Sequence, residues 1–397
     1  MINTNRYNTN PNRQIVHADL DTFFVSCERL RDSNLEDLPI IIGGTSGRGV
    51  VSSCSYESRA FGVRSAMPMR YALKLCPQAK VIKGDMELYA QKSKEVTEII
   101  QESMPLVEKA SVDEFYMDVT GMDKFFGTYK WTNELMQKIH QESGLAMSFG
   151  LSANKTVSKI ATGEGKPFGK MHIPPTQTTS FLNPLSIKKI PMLGTETYRE
   201  LARIGIRSIE QLANSPQEFM QKLFGKNGVS LWNKAQGIDN APVVPYSERK
   251  SISCERTFLK DTTNITQLKA LLVKLVEKTA FDLRNSNQLT SVIAVRIRYS
   301  NFDTETKQVR ITYTANDDKI IKVVKELFDK LYHRRMLIRL IGIRFSGLVR
   351  GSEQIDLFED TLNQVKLNEA IDKMKKRFGS HVLTKAETFN AYKGNSK

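Results

Sequence analysis

The sequence contains no apolar run approaching the roughly 20 residues that a transmembrane helix needs. Its polar opening, MINTNRYNTNPNR, lacks the apolar stretch of a secretory leader. Neither a membrane protein nor an exported one is expected, which leaves a soluble cytoplasmic chain. Cysteine is scarce: Cys27, Cys54, Cys76 and Cys254 stand far apart, excluding a short-spaced zinc motif and a disulfide framework. The five histidines, His17, His140, His172, His333 and His381, are equally scattered, so a histidine-based metal centre is not expected. Acidic charge is also short. The chain has 58 Lys and Arg against 43 Asp and Glu, a net +15 that points to a polyanionic partner such as nucleic acid or, as the weaker option, an anionic membrane surface. Residues 246–351 hold 21 Lys and Arg against 11 Asp and Glu, two-thirds of the whole surplus. That asymmetry favours phosphate-backbone binding by this one segment.

At 397 residues the chain is long enough for two to four domains, each with its own core. IVHADLDTFF reads as a strand, VSCERLRD as a helix and LPIIIGG as a second strand. Further on, VEKASVDEFYMDV reads as a strand, followed by a helix over 130–143, a strand over 145–152 and a helix over 154–163. This is a mixed α+β unit, expected as a sheet with helices on one face. From about Leu182 the texture turns helical, with the turn PMLG inside it. Pro242, Pro245, Arg249 and Lys250 mark a linker. Beyond it ISCERTFL, SVIAVRIRYS, QVRITYTA and LIRLIGIRFSGL alternate as strands around helices over 264–284 and 317–332, a second α+β domain. Near the end Leu367, Ile371, Met374 and Phe378 recur at helical spacing and predict a docking or core helix ended by Gly379.

Acids inside apolar strands are the feature that asks for chemistry. On a regular strand Asp19 and Asp21 share one face. A neighbouring strand with Asp113 and Glu114 would gather three or four carboxylates, which repel unless a cation neutralises them. Oxygen-only ligands favour Mg²⁺ or Mn²⁺ over Zn²⁺, and a paired-metal site suits in-line phosphoryl transfer. Solvent-exposed acids at strand ends are the plainer alternative. Adjacent residues on a regular strand point to opposite faces, so Asp113 and Glu114 can serve together only at a bend, bulge or strand end.

Six blocks, HADLDTFFVSCE, IIIGG, VVSSCSYESRAFGVRSAMPMRYALKLCP, ASVDEFYMDVTG, SANKTVSKIAT with GKPFG, and RKSISCERTF, occur in the order and approximate spacing of the Y-family DNA polymerases. The chain resembles that family over about residues 15–350, and within it most closely the DNA polymerase IV branch. The resemblance implies a right-hand architecture: a palm over 1–22 and 85–175, fingers over 23–84, a helical thumb with helix-hairpin-helix over 176–243, a linker over 244–250, and a basic α+β little finger over 251–351. It implies a template-directed DNA polymerase that extends a primer with deoxynucleoside triphosphates, bypasses damaged bases with low fidelity, and acts as a monomer. Two Mg²⁺ ions, replaceable by Mn²⁺, would be held by Asp19, Asp113, Glu114 and the Leu20 carbonyl, with Asp21 beside them in an undefined role. Phe23 and Phe24 would line the nucleotide site, Phe24 as the steric gate against a ribose 2′-hydroxyl. Ser53, where relatives often have Thr, together with Tyr56, Arg59 and Lys166 would hold the triphosphate. Met192 departs from the pattern, replacing a glycine of the thumb turn. In the tail 352–397, QIDLF resembles the peptide by which bacterial polymerases bind the sliding clamp, through Gln354, Leu357 and Phe358. A non-catalytic scaffold for DNA and clamp, and a palm-fold nucleotidyl cyclase, are the competing readings. Neither explains acids beside DNA together with a helical thumb and a strongly basic domain.

Overall fold

Both faces of IVHADL are buried, so this strand must lie at the centre of a sheet covered on each side. A computed structural model describes residues 13–104, 106–122, 127–351, 361–379 and 382–388. The chain divides into two compact units, Met1–Ser247 and Glu248–Lys397. In the first, strands β1 (Ile15–Leu20), β2 (Ile40–Gly43), β3 (Val51–Cys54), β4 (Lys80–Ile82), β5 (Val107–Lys109), β6 (Glu114–Asp118), β7 (Met147–Ser152) and β8 (Lys170–Ile173) form two sheets. One is five-stranded, in the order β5-β6-β1-β7-β8, and the other is three-stranded, in the order β3-β2-β4. β1 runs antiparallel to both β6 and β7.

The period of two along β1 sends Val16, Ala18 and Leu20 one way, into a core with Phe115, Phe149 and the helices Met86–Ser103 and Thr128–Ser143. His17 and Asp19 point the other way, where His17 Nδ1 meets Thr162 Oγ1 of the helix Lys155–Gly165 at 2.9 Å. Helices therefore cover both faces, not the single face expected. The reason lies partly in Gly150 of β7: a Cβ there would sit 2.3 Å from the Ser158 carbonyl oxygen, so only glycine lets this helix approach. Val157, Ile160 and Ala161 of this helix also join a separate core built with Leu182, Leu201, Leu212 and Leu231 of the helical segment. In that segment Met192 adopts φ 72° and is 92 % exposed. A methionine thus holds a left-handed position that favours glycine, at a conformational cost of about 1 kcal/mol or more.

The second unit is one antiparallel sheet of β9 (Ser251–Thr262), β10 (Gln288–Tyr299), β11 (Thr304–Thr314) and β12 (Ile338–Arg350), in the order β11-β10-β12-β9. Ile293, Val295 and Ile297 face the helices Ile265–Asn285 and Asp317–Leu331. The intervening positions place Arg296 and Arg298, with Arg344 of β12, on the opposite face.

The last helix, Thr361–Phe378, corrects the sequence reading. Leu367, Met374 and Phe378 are exposed, and the buried positions are Asp372 and Lys375. Asp372 takes a two-pronged contact from Arg284 at 2.6 and 2.9 Å, and Arg284 also reaches Asp317 at 2.6 Å. An ion-pair hub, rather than the apolar stripe, fixes which face of this helix docks. Among the described residues no helix is long and apolar enough to cross a membrane.

Candidate active site

The register of the central strands builds the site. Asp19 pairs directly with Glu114 across β1 and β6, and opposed residues of an antiparallel pair project to the same side. Glu114 is the first residue of β6, and Asp113 lies in the bend before it. The strand end frees the two neighbours from strict alternation. Leu20 N donates to the Asp113 carbonyl at 3.0 Å, fastening that bend to the end of β1. Burial raises the Asp19 carboxyl from its ordinary 3.8 to about 6; Lys166 opposes the shift, and the Glu114 and Asp113 charges add to it.

Asp19, Leu20, Phe23, Phe24, Ser53, Arg59, Asp113 and Lys166 line one cleft of about 300 Å³. Glu114 and Tyr56 are not part of this lining: Glu114 pairs with Asp19 across the strands, and Tyr56 bonds to Asp21. No cysteine or histidine lines the cleft, so its donors are hard oxygens, which fit Mg²⁺ or Mn²⁺. The carboxylates are neighbours without being drawn into a ligating cluster: among the described residues no three Asp, Glu, His or Cys side chains are grouped closely enough to hold a metal ion. Ammonium groups hold their oxygens instead. Lys166 Nζ contacts Asp19, and Lys159 Nζ sits 2.6 and 2.7 Å from the two oxygens of Glu114.

Asp21 now has a structural role. It lies just past β1, is only 3 % exposed, and accepts hydrogen bonds from Tyr56 Oη at 3.1 Å, Ser148 Oγ at 2.8 Å and the Phe168 backbone N–H at 2.9 Å. Lys166 Nζ is 3.6 Å away. One carboxylate thereby ties the helix Tyr56–Ala60 and the Lys166 loop to the sheet. Burial, with the Asp21 charge and hydrogen bond behind it, pushes the Tyr56 phenol up, so it remains a protonated donor. Asp21→Asn offers one acceptor oxygen where three donors converge. It is expected to lower stability by about 2 kcal/mol in urea unfolding, and an unchanged midpoint would remove Asp21 as the hub. The Arg59 guanidinium stacks 5.0 Å from the Tyr56 ring centre, held at the cleft.

Comparison with known proteins joins this geometry to a chemistry. Residues 18–163 match the impB/mucB/samB family, residues 249–357 its C-terminal domain, and residues 188–239 the thumb domain of DNA polymerase-iota. DNA polymerase IV of Dehalococcoides mccartyi is 35% identical over 381 residues, covering 95% of this chain and 98% of that protein. DNA polymerase IV of Streptococcus agalactiae is 36% identical over 351 residues, 87% of this chain and 96% of that one. A Y-family DNA polymerase chimera of solved structure superposes with a TM-score of 0.75 at 25% identity, over 85% of this chain and 100% of the other. The chain belongs to the Y-family DNA polymerases. It is a DNA-directed DNA polymerase of the translesion type, multidomain and α+β, with a helical thumb, and its chemistry depends on a divalent metal.

Several residues in and around this polymerase's cleft escaped the sequence reading. Lys159, on the helix Lys155–Gly165, holds Glu114, although it stands inside the quoted SANKTVSKIAT block. Thr22, Ser52 and Ser65 add hydroxyls to the lining. Tyr89 stacks on Phe24 with ring centres 4.2 Å apart and planes 12° from parallel, and its phenol donates to Glu28 Oε1 at 2.6 Å. No local pattern marks Tyr89, whose partners lie 61 and 65 residues away. The clamp-like Gln354, Leu357 and Phe358 lie outside the described residues.

Proposed function

We propose that the polymerase joins deoxynucleotides to a primer 3′-hydroxyl by two-metal phosphoryl transfer, with the palm, fingers, thumb and little finger bounded as the sequence reading sets them. The observation that carries this is a single cleft lined by carboxylates of β1 and the β6 bend together with Ser53, Arg59 and Lys166. Asp19, Asp113, Glu114 and the Leu20 carbonyl would hold two Mg²⁺ ions, or Mn²⁺ in their place. When bound, these ions would activate the attacking hydroxyl and neutralise the leaving pyrophosphate. The chain's own contribution is positioning and charge. Arg59 presents a planar fork to the triphosphate, Lys166 a mobile point charge once released from Asp19, and Ser53 and Tyr56 hydroxyl donors. Phe23 and Phe24 would line the nucleotide site, with Phe24 as the steric gate against a ribose 2′-hydroxyl. The arginine-bearing face of the second unit's sheet supports primer-template binding by Arg296, Arg298 and Arg344. The protein would work in the cytoplasm as a monomer with low fidelity, joined to the sliding clamp through Gln354, Leu357 and Phe358.

A primer-extension assay with and without a bacterial sliding clamp tests this reading. Full-length protein should extend a primer with Mg²⁺ and deoxynucleotides, and the clamp should stimulate it. Deleting residues 354–358 should abolish stimulation and spare basal extension. Stimulation that survives deletion removes the clamp assignment; no extension at all removes the catalytic one.

The raised Asp19 carboxyl adds a pH signature. A cation binds the ionised form, and a group of pKa about 6 is half protonated at pH 6 and almost fully ionised at pH 8. Mn²⁺ binding to the free protein should therefore release about half a proton at pH 6 and almost none at pH 8. Calorimetry in buffers of different ionisation enthalpy reads the difference directly. Equal release at both values would exclude Asp19 as the titrating ligand.

A further inference from the structure

The helix Lys155–Gly165 and the residue that follows it carry three lysines, and each meets a different carboxylate of the sheet. Lys155 Nζ lies 2.5 Å from Glu108, Lys159 Nζ holds both oxygens of Glu114, and Lys166 Nζ contacts Asp19. Asn154 caps the helix through the Val157 N–H at 3.0 Å, and Gly150 lets its backbone lie close on β7, so the reach of Lys159 is set by rigid elements. Lys159 and Glu114 are both only partly exposed, at 32% and 24% side-chain exposure. An ammonium seated on both oxygens of a carboxylate competes with any second cation at those oxygens, because the two positive charges would lie a few ångströms apart.

We propose that Lys159 is the resident counter-cation of Glu114: it holds the carboxylate in the metal-free protein, yields it when a divalent cation binds, and so sets the cation concentration at which the site fills. The inference rests on the reading of Glu114 as a cation ligand. It assigns Lys159 a positioning role that a merely structural lysine would not have. Lys155 supplies the control, since it lies one turn away on the same helix with the same charge, and its partner Glu108 stands on β5 opposite Tyr116, whereas Glu114 pairs directly with Asp19.

The experiment titrates full-length protein with Mn²⁺, without DNA or nucleotide, and follows free Mn²⁺ by electron paramagnetic resonance. Lys159→Met should tighten Mn²⁺ binding about tenfold, whereas Lys159→Arg and Lys155→Met should stay within about twofold of the parent. Unchanged or weaker binding in Lys159→Met overturns the proposal, and so does equal tightening in Lys155→Met. A second measurement needs no variant: acetylation of wild-type lysines, read by mass spectrometry, should accelerate at Lys159 and not at Lys155 when Mn²⁺ is added. Equal acceleration at the two sites, or none, overturns the proposal. Glu114→Ala separates the two layers. Weakened Mn²⁺ binding there with no change in Lys159→Met defeats this inference alone, and unchanged binding in Glu114→Ala defeats the site assignment beneath it.

Discussion

Glu114→Gln is expected to slow single-turnover primer extension by about a thousandfold, the order lost when one preorganised charge partner of a transferring group is removed. The amide keeps the volume and one acceptor oxygen, so β6 and its register with Asp19 should stand. What disappears is one of three negative charges, Asp19, Asp113 and Glu114, gathered at the strand ends. Burial raises the Asp19 carboxyl, and the nearby Glu114 and Asp113 charges add to that shift. Folding should not suffer, because the lost carboxylate was a like charge directly across from Asp19, and Lys159 is open enough to solvate its freed ammonium. Primer-template affinity should also hold, since the DNA contact proposed above rests on Arg296, Arg298 and Arg344 of the second unit, remote in sequence from Glu114. Extension within about tenfold of the parent would rule out Glu114 as a metal-binding carboxylate. Lost extension accompanied by lost DNA binding would point to a structural defect instead.

How far this site could be read in the sequence depended on the range of each residue's partners. Asp113 and Glu114 posed a local problem, two neighbours needed on one side, and local reasoning called for a bend, bulge or strand end; the structure has Asp113 in the bend before β6 and Glu114 as its first residue. Asp21 did not yield to such reasoning. Its hydrogen-bond partners Tyr56, Ser148 and Phe168 lie 35, 127 and 147 residues away, so only the assembled sheet makes it a hub. The last helix failed for the same reason. Its apolar spacing was real, yet Arg284, 88 residues distant, turned Asp372 inward and left Leu367, Met374 and Phe378 outside. The second helical layer had a readable trace in Gly150, a glycine inside an apolar strand that marks close backbone approach. Met192 was legible as a departure from a glycine turn, and its positive φ shows a side chain held in a left-handed position that favours glycine.

Phe24→Ala should cut the preference for deoxynucleotides over ribonucleotides by about a hundredfold, because the wall that meets the sugar would lose its ring. Phe24 is the second residue of the helix Phe23–Arg31 and reaches the cleft beside Asp19 and Arg59. Its ring cannot recoil from an added hydroxyl, since Tyr89, fully buried, lies flat against it. Tyr89 is pinned in turn. Burial and the hydrogen bond to Glu28 keep its phenol protonated, and Glu28 sits on the same helix as Phe24, paired with Arg31. Rigidity behind the ring is what converts a contact into a clash. Tyr89→Phe leaves the stacked ring and removes only the tether, so it should relax sugar selection far less than Phe24→Ala does. The measurement is the ratio of kcat/KM for a deoxynucleotide and its ribonucleotide in single-nucleotide insertion. A gate acts on the ribonucleotide alone, so deoxynucleotide insertion should stay within about tenfold of the parent while ribonucleotide insertion rises. A ratio unchanged in Phe24→Ala would return Phe24 to the role of a packing aromatic at the head of its helix.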